Sequence, residues 1–204
     1  MDFNIEATNW DNEKRVKRAK IIADEIINSI EIEEQYRALE FGCGTGLVSF
    51  NLIDKFKHIT LLDTSRGMIE ALNLKIQNLK VKNMTAFQVD INCDSDILGD
   101  NFDVIYTSMA LHHIIDISTI LKKIFKLLNK NGYLCIVELV EDDGSFHKLE
   151  KDFNGHNGFN QNKLKKLLLE SGFKNVVTKI FYNDVKVIEG SKINYSLFLM
   201  IGRK

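Results

Sequence analysis

The sequence of 204 residues predicts an α/β fold in which helices cover both faces of a mainly parallel sheet. Short apolar runs alternate along the chain with longer segments whose apolar residues recur every three to four positions. A glycine-rich turn joins the first apolar run to the next amphipathic segment. The length suits one domain, since a domain typically holds roughly 100 to 200 residues. We therefore expect residues 1–204 to form a single domain.

The first half of the chain alternates strands and helices. Residues 12–30 carry apolar side chains at helical spacing, which predicts an amphipathic helix within an N-terminal helical cover at 1–30. The other elements predicted here are helices at 47–56 and 65–79, and strands at 36–41, 58–63, 84–89 and 102–108. Parallel pairing is expected because the strands are separated by crossover segments.

The same alternation continues into the second half of the chain. Asp116 is a predicted N-cap of a helix that runs to about residue 128. Residues 129–132 supply a turn into a strand at 133–139. The following segment, 141–159, is polar and contains glycines and aromatic residues, which is typical of an insertion. We expect it to form a lid-like segment over the sheet edge.

The last part of the chain breaks the alternation. Asn160 is predicted to cap a helix that ends at Gly172. Two strands then follow, at 175–186 and 192–201, with no helix between them. Strands joined in this way are expected to pair antiparallel.

Composition excludes several classes of function. Lys and Arg total 27 against 28 for Asp and Glu, so no overall positive field favours nucleic acid as a partner. Cys43, Cys93 and Cys135 are odd in number and far apart, which fits neither a disulfide framework nor a metal site. No apolar run approaches the roughly 20 residues that span a bilayer, and no signal peptide is recognisable. We expect a cytoplasmic protein without a bound metal.

The turn at 42–46 predicts a cofactor site. Its glycines, Gly42, Gly44 and Gly46, let the backbone approach a ligand closely, although a tight connection alone is the alternative. The nicotinamide fingerprint G-x-G-x-x-G is not matched, since the third glycine comes one residue early. The Glu40 carboxylate would repel a pyrophosphate and attract an ammonium group. Asp63 ends the next strand, where a carboxylate accepts hydrogen bonds from ribose hydroxyls.

Residues 10–140 resemble class I S-adenosylmethionine-dependent methyltransferases, in particular the group related to ubiquinone and menaquinone biosynthesis methyltransferases. The resemblance rests on the turn with its preceding residues LEFGCGTG, on Asp63, on QVDI at 88–91 and on FDVIYTSMALHHI at 102–114. Residues 128–134 are similar to the family's leucine-x-proline-glycine-glycine turn, but lack the proline and the second glycine.

The resemblance implies a fold, a cofactor and a set of contacts. The fold is a Rossmann-like three-layer sandwich with strand order 3-2-1-4-5-7-6 and strand 7 antiparallel. The cofactor is S-adenosyl-L-methionine, with S-adenosyl-L-homocysteine as product. Asp63 is expected to bind the ribose, and Asp90 with the Ile91 amide to bind the adenine. The expected cofactor-contacting residues are Trp10, Glu40, Gly42, Cys43, Gly44, Gly46, Asp63, Thr64, Met68, Asp90, Ile91, Thr107 and Ser108.

Histidines are the candidate bases. His112 and His113 follow the fourth predicted strand, at the sheet edge where open α/β sheets bind ligands. His113 is the preferred candidate, and the alternative is that one of the two caps a helix or packs against the cofactor. His147 and His156 lie among phenylalanines in the insertion, a composition that suits a lid over an acceptor. A solvated loop is the alternative for these two.

The predicted function is in-line methyl transfer to an O, N or C atom of a small-molecule acceptor. The sulfonium cofactor is already activated, so positioning supplies much of the catalysis. Three alternatives are kept open. They are a methyltransferase that acts on a protein, an NAD(P)-dependent oxidoreductase, and an inactive module that binds an adenosyl ligand.

Overall fold

The computed structural model describes residues 2–91, 101–150 and 153–204. Its strands are β1 (Arg37–Phe41), β2 (His58–Asp63), β3 (Met84–Gln88), β4 (Phe102–Ser108), β5 (Leu128–Leu139), β6 (Lys174–Ile188) and β7 (Ser191–Arg203). They form one seven-stranded sheet in the order β3-β2-β1-β4-β5-β7-β6. The predicted strand order is confirmed.

The direction of each strand follows from how it is connected. The pairs β1–β2, β1–β4, β2–β3 and β4–β5 are parallel. Strand β7 follows β6 through a turn and pairs antiparallel with both β6 and β5. A hairpin returns the chain directly, whereas a parallel pair needs a crossover. The predicted antiparallel strand 7 is confirmed.

The α-helices of the described chain begin at polar side chains that cap them, apart from the one that follows Gly46. Their bounds are α1 (Phe3–Glu6), α2 (Glu13–Ser29), α3 (Leu47–Phe50), α4 (Arg66–Asn78), α5 (Ile117–Leu127) and α6 (Gln161–Glu170). The predicted cap Asp116 accepts a hydrogen bond from the Thr119 amide at 3.0 Å. The predicted cap Asn160 accepts from the amides of Asn162 and Lys163. Each cap satisfies N–H groups that have no partner inside the helix.

Two elements differ from the predicted bounds. The helix predicted at 47–56 ends at Phe50, and a short 3-10 helix, Ile53–Lys55, follows it. The side-chain amide of Asn83 donates to the Ile53 and Phe56 carbonyls and so replaces helical bonds there. Strand β5 begins at Leu128 instead of 133, because the predicted turn residues continue its pairing across a register shift.

Adjacent residues of the strands face two different cores. On β2, Leu61 packs in a cluster that contains Ile22 of α2, whereas Leu62 packs in a second cluster that contains Ile120 of α5. Alternate strand residues point to opposite faces, so helices on both sides bury the sheet. This arrangement is the predicted three-layer α/β sandwich.

In the described ranges, each helix is either too short or too polar to cross a bilayer.

Candidate active site

The glycine turn begins where β1 ends, at the carboxyl edge of the sheet. The φ angle of Gly42 is +66° and that of Gly44 is +53°, in the left-handed region that favours glycine. A Cβ on Gly42 would lie 2.2 Å from the Cβ of Ala110, a distance that real atoms do not tolerate. The close approach of these two chain segments therefore requires glycine at position 42.

Asp63, at the end of β2, is fixed by two backbone amides. Its carboxylate accepts hydrogen bonds from the N–H groups of Gly44 and Ser65, each at 2.8 Å. Burial raises the pKa of Asp63, and the amides oppose that shift. The turn after β1 and the turn after β2 thus share one carboxylate.

Glu40 is buried beside the same turn. Only 2% of its surface is exposed, and its carboxylate accepts a hydrogen bond from the Ser49 hydroxyl. The Ser49 hydroxyl also lies 2.5 Å from the Tyr106 hydroxyl. Burial raises the pKa of Glu40 to about 8, although the Ser49 bond lowers it. A cation that binds beside Glu40 would lower this pKa and favour the ionised carboxylate.

A cavity of about 880 Å³ lies at this edge of the sheet. Its wall combines residues from the ends of β1, β2 and β4 with residues from α2, β6 and the insertion. Trp10 reaches the glycine turn, since a Cβ on Gly44 would lie 3.5 Å from the indole nitrogen. Asp11 holds this N-terminal segment in place through the Thr45 hydroxyl and an ion pair with Lys75 at 2.7 Å.

A buried histidine–carboxylate pair lies at the cavity, which His112 lines and Glu138 does not. Nδ1 of His112 lies 2.9 and 3.0 Å from the two carboxylate oxygens of Glu138 on β5. His112 is 3% exposed and Glu138 is 0% exposed. Burial lowers the pKa of His112, but the Glu138 charge and hydrogen bond outweigh it, so the pKa is raised. The same interactions lower the pKa of Glu138 against the effect of burial.

His113 and His147 have a different environment from His112. Burial, with repulsion from His112, lowers the pKa of each to about 4. The His113 ring makes edge contacts with the rings of Phe3 and Phe153, and His147 stacks on Phe153 at 3.8 Å. Nδ1 of His147 is buried and has no hydrogen-bond partner in the part of the chain that the structure describes. Both rings are neutral at pH 7.

Comparison with known proteins assigns the family. A sequence model described as a methyltransferase domain matches residues 32–184. The chain belongs to the class I S-adenosylmethionine-dependent methyltransferases.

Relatives of this methyltransferase match over part of their length. An uncharacterized methyltransferase of Schizosaccharomyces pombe is 35% identical over 115 residues, which are 53% of this chain and 40% of that protein. A malonyl-acyl-carrier-protein O-methyltransferase of Bacillus anthracis is 27% identical over 157 residues, 74% of this chain and 55% of that protein. The chain thus spans about half the length of these curated relatives.

Solved structures share the fold of the methyltransferase. A SAM dependent methyltransferase from Aquifex aeolicus has a TM-score of 0.67 at 16% identity, and the alignment covers 97% of each chain. The YcgJ protein from Bacillus subtilis has a TM-score of 0.70 at 15% identity, over 89% of this chain and 97% of that one.

Most cofactor contacts predicted for the methyltransferase line the cavity. The lining residues among them are Trp10, Glu40, Gly42, Cys43, Gly44, Asp63, Thr64, Met68, Asp90, Ile91 and Ser108. Thr107 does not line it, since its buried hydroxyl donates to the Phe41 carbonyl at 3.0 Å. Gly46 does not line it either and caps α3, where a Cβ would lie 2.7 Å from Leu72.

The predicted histidines fall into two groups. His112, His113 and His147 line the cavity, whereas His156 does not. The His156 ring instead approaches the Ile114 carbonyl at 3.0 Å. Sequence reasoning missed Glu138, because a glutamate within an apolar strand carries no local sign of its partner.

The two cysteines that the structure describes, Cys43 and Cys135, lie in environments that disfavour the thiolate. Cys43 and Cys135 are free and buried, and burial raises the pKa of both thiols. Cys93 and residues 151–152 of the insertion lie outside the described residues. Across the described ranges, no three His, Cys, Asp or Glu side chains are grouped as metal ligands.

Proposed function

We propose that this methyltransferase transfers a methyl group to an O, N or C atom of a small-molecule acceptor, with His112 as the base that takes the acceptor's proton. The observation that carries the proposal is that His112, paired with the buried Glu138, lines the cavity that the glycine turn and Asp63 also line. A base, an oriented partner and a cofactor cradle around one cavity are the parts that assisted methyl transfer needs.

The residues of the turn suit S-adenosylmethionine. The two amides leave lone pairs on the Asp63 carboxylate, which has about four acceptor sites, so it is able to accept from both ribose hydroxyls. Glu40, Asp90 and Ile91 line the same cavity. We propose that Glu40 binds the ammonium of the methionine part and that Asp90 with the Ile91 amide binds the adenine. When bound, this cofactor supplies an electrophilic methyl group.

The His112–Glu138 geometry defines which nitrogen acts as the base. Glu138 accepts from Nδ1–H, so the lone pair of the neutral ring lies on Nε2. We propose that Nε2 removes the proton of the acceptor atom, whose electron pair would then be free for the methyl group that S-adenosylmethionine would supply. His112 then carries the proton, and Glu138, as a positioning residue, stabilises the imidazolium.

His112 replaces His113 as our preferred base. The pKa of His113 is lowered to about 4, which makes its ring a weak proton acceptor. The pKa of His112 is raised, so we expect the rate to increase with pH until His112 is neutral, with a midpoint above the ordinary value of 6.5. Glu138→Gln removes the charge that raises this pKa, and the midpoint should move to lower pH.

We also propose that the 204 residues form one domain with two covers. Residues 1–30 would cover the cofactor, since Asp11 ties this segment to the glycine turn and to α4. The insertion at 141–159 would cover the acceptor, since its described part contributes Phe146, His147 and Glu150 to the cavity wall. The His156 amide donates to the His112 carbonyl at 2.8 Å, which joins this cover to the base.

Calorimetric titration tests the proposed cofactor. We expect S-adenosylmethionine and S-adenosylhomocysteine to bind, NAD and NADP to give no signal, and Asp63→Ala to weaken adenosyl binding. Binding of the dinucleotides alone would overturn the proposal. Binding of the adenosyl ligands without turnover in a broad acceptor screen would instead identify an inactive module, and methylation of proteins alone would identify a protein acceptor.

A further inference from the structure

The cavity wall carries basic side chains from two distant parts of the chain. Lys14 and Arg15 of α2 are engaged by Asp184 and by the Trp10 ring, respectively. Arg18 lies on α2 and Lys186 lies on β6, and both are half-buried and line the cavity. The Arg18 guanidinium donates to the Tyr195 hydroxyl at 3.2 Å. The Lys186 ammonium donates to the Phe146 carbonyl at 2.6 Å and lies 4.0 Å from that ring's centroid. Phe146 and Tyr195 are in contact, so the two cations flank one aromatic surface.

Arg18 and Lys186 differ from the exposed cations of α2. Lys17 and Lys20 pair with Glu13 and Asp24 at 2.6 and 2.8 Å on the outer face of α2. Within the described residues, no carboxylate lies at salt-bridge distance from Arg18 or Lys186. Their fixed contacts are with neutral oxygens, which leaves further N–H donors on each group.

The position of Lys186 places positive charge near the proposed base. Its charge lowers the pKa of His147 and opposes the raised pKa of His112. Glu150 also lines the cavity and is the one nearby acid that raises the pKa of both His112 and Lys186. Asp142 also raises the pKa of Lys186, but neither acid forms an ion pair with Arg18 or Lys186, so both cations keep N–H donors for an anionic ligand in the cavity.

We propose that the methyl acceptor carries an anionic group, a carboxylate or a phosphate, which Arg18 and Lys186 bind beside Phe146 and Tyr195. A guanidinium binds either group through paired N–H donors, and an ammonium adds a point charge. The aromatic pair would hold the apolar part of the acceptor against the cavity wall. This inference rests on the proposed function of the site and names the class of its substrate.

The test uses the full chain saturated with S-adenosylhomocysteine and three probes of similar size. The probes are 3-phenylpropanoate, phenyl phosphate and the uncharged 3-phenylpropanamide, each titrated by calorimetry at low and high salt. We expect at least one anion to bind at least about tenfold more tightly than the amide, with an advantage that salt reduces. The preferred anion identifies the carboxylate or the phosphate.

Charge-removing variants assign the effect to the two cations. Arg18→Gln and Lys186→Gln should each abolish the advantage of the anion, whereas Lys186→Arg should keep it. Lys17→Gln is the matched control on the outer face of α2 and should behave as the unchanged protein.

Several outcomes would overturn the inference while leaving the proposed function intact. They are equal binding of the amide and the anions, no binding of any probe, or an equal loss in Lys17→Gln. Weaker S-adenosylhomocysteine binding in Arg18→Gln and Lys186→Gln would also overturn it, because the cations would then serve the cofactor's own carboxylate. Failure of the unchanged protein to bind S-adenosylhomocysteine would instead remove the proposed function itself.

Discussion

The two sides of the cavity are built in different ways. The cofactor side consists of the turn after β1 and the acid after β2, whose amide and carboxylate groups lie within about one strand–helix–strand unit. The proposed acceptor side combines Arg18, His112, His147 and Lys186 of the cavity wall with Glu138 behind His112, and these residues come from five separate segments. The comparison teaches that the centre of the proposed cofactor site is formed by two neighbouring turns, with Trp10 and Ser108 added from farther along the chain. The proposed acceptor site exists only after the sheet and its covers have assembled.

Substitutions in the His112–Glu138 pair should lower the rate of methyl transfer without weakening cofactor binding. We expect His112→Asn and Glu138→Gln to lower kcat by about 10² to 10⁴-fold, the usual contribution of general base catalysis. The measurement is steady-state kinetics, with S-adenosylhomocysteine affinity and thermal unfolding as controls. Unchanged kcat in His112→Asn, or an equal fall in kcat and cofactor affinity, would contradict a role confined to the acceptor side.

A substitution in the glycine turn should instead weaken cofactor binding. Gly42→Ala adds a Cβ that meets Ala110 at 2.2 Å on a backbone with φ of +66°, so the cradle must shift. We expect at least about a hundredfold loss of cofactor affinity by calorimetry, since a displaced cradle loses several hydrogen bonds. Circular dichroism is the control for folding. Full cofactor affinity in a folded Gly42→Ala protein would show that the cradle does not depend on this turn.

The buried Glu40 should make the free energy of unfolding depend on pH. Its pKa is raised from 4.5 to about 8, so the folded protein binds a proton that the unfolded chain has lost between these values. The free energy of unfolding therefore falls as pH rises from about 4.5 to 8. Since one pKa unit corresponds to about 1.4 kcal/mol, we expect Glu40→Gln to stabilise the protein by at least about 2 kcal/mol at pH 9.

The gain from Glu40→Gln should disappear near pH 5, where the carboxyl group of the folded protein is already neutral. Denaturant unfolding at both pH values is the measurement. Ser49→Ala, which removes the hydroxyl donor to Glu40, is a useful companion because it should widen the difference. A gain that is the same at both pH values would contradict a raised pKa.

Thr107→Val has the smallest expected effect. It tests whether Thr107 stabilises the fold or contacts the cofactor. Its hydroxyl bonds the Phe41 carbonyl and does not reach the cavity. Thr107→Val should lower the free energy of unfolding by about 1 kcal/mol, the usual net value of one hydrogen bond, and leave cofactor affinity unchanged. Denaturant unfolding and calorimetry measure the two quantities. A tenfold loss of affinity without a loss of stability would instead place Thr107 among the cofactor contacts.

Local pattern determined the order of strands and helices and much of the cofactor side. Asp116 and Asn160 were predictable caps because a capping side chain bonds amides only two or three residues away. The turn at 42–46 and Asp63 were predictable for a different reason, since the neighbouring parallel strands β1 and β2 end at one edge of the sheet. The helix after the turn was predicted too long, because the Asn83 side chain that replaces its bonds lies about 30 residues away.

Only the tertiary structure decided the acceptor side. Nothing in the residues around Glu138 indicates that it pairs with His112, and that pairing moves our preference for the base from His113 to His112. Arg18 and Lys186 are ordinary basic residues in the sequence and become an unpaired couple only when α2 and β6 meet at the cavity. Contacts between distant segments depend on the complete packing of the sheet and its covers, whereas a turn or a helix cap is specified by its immediate neighbours.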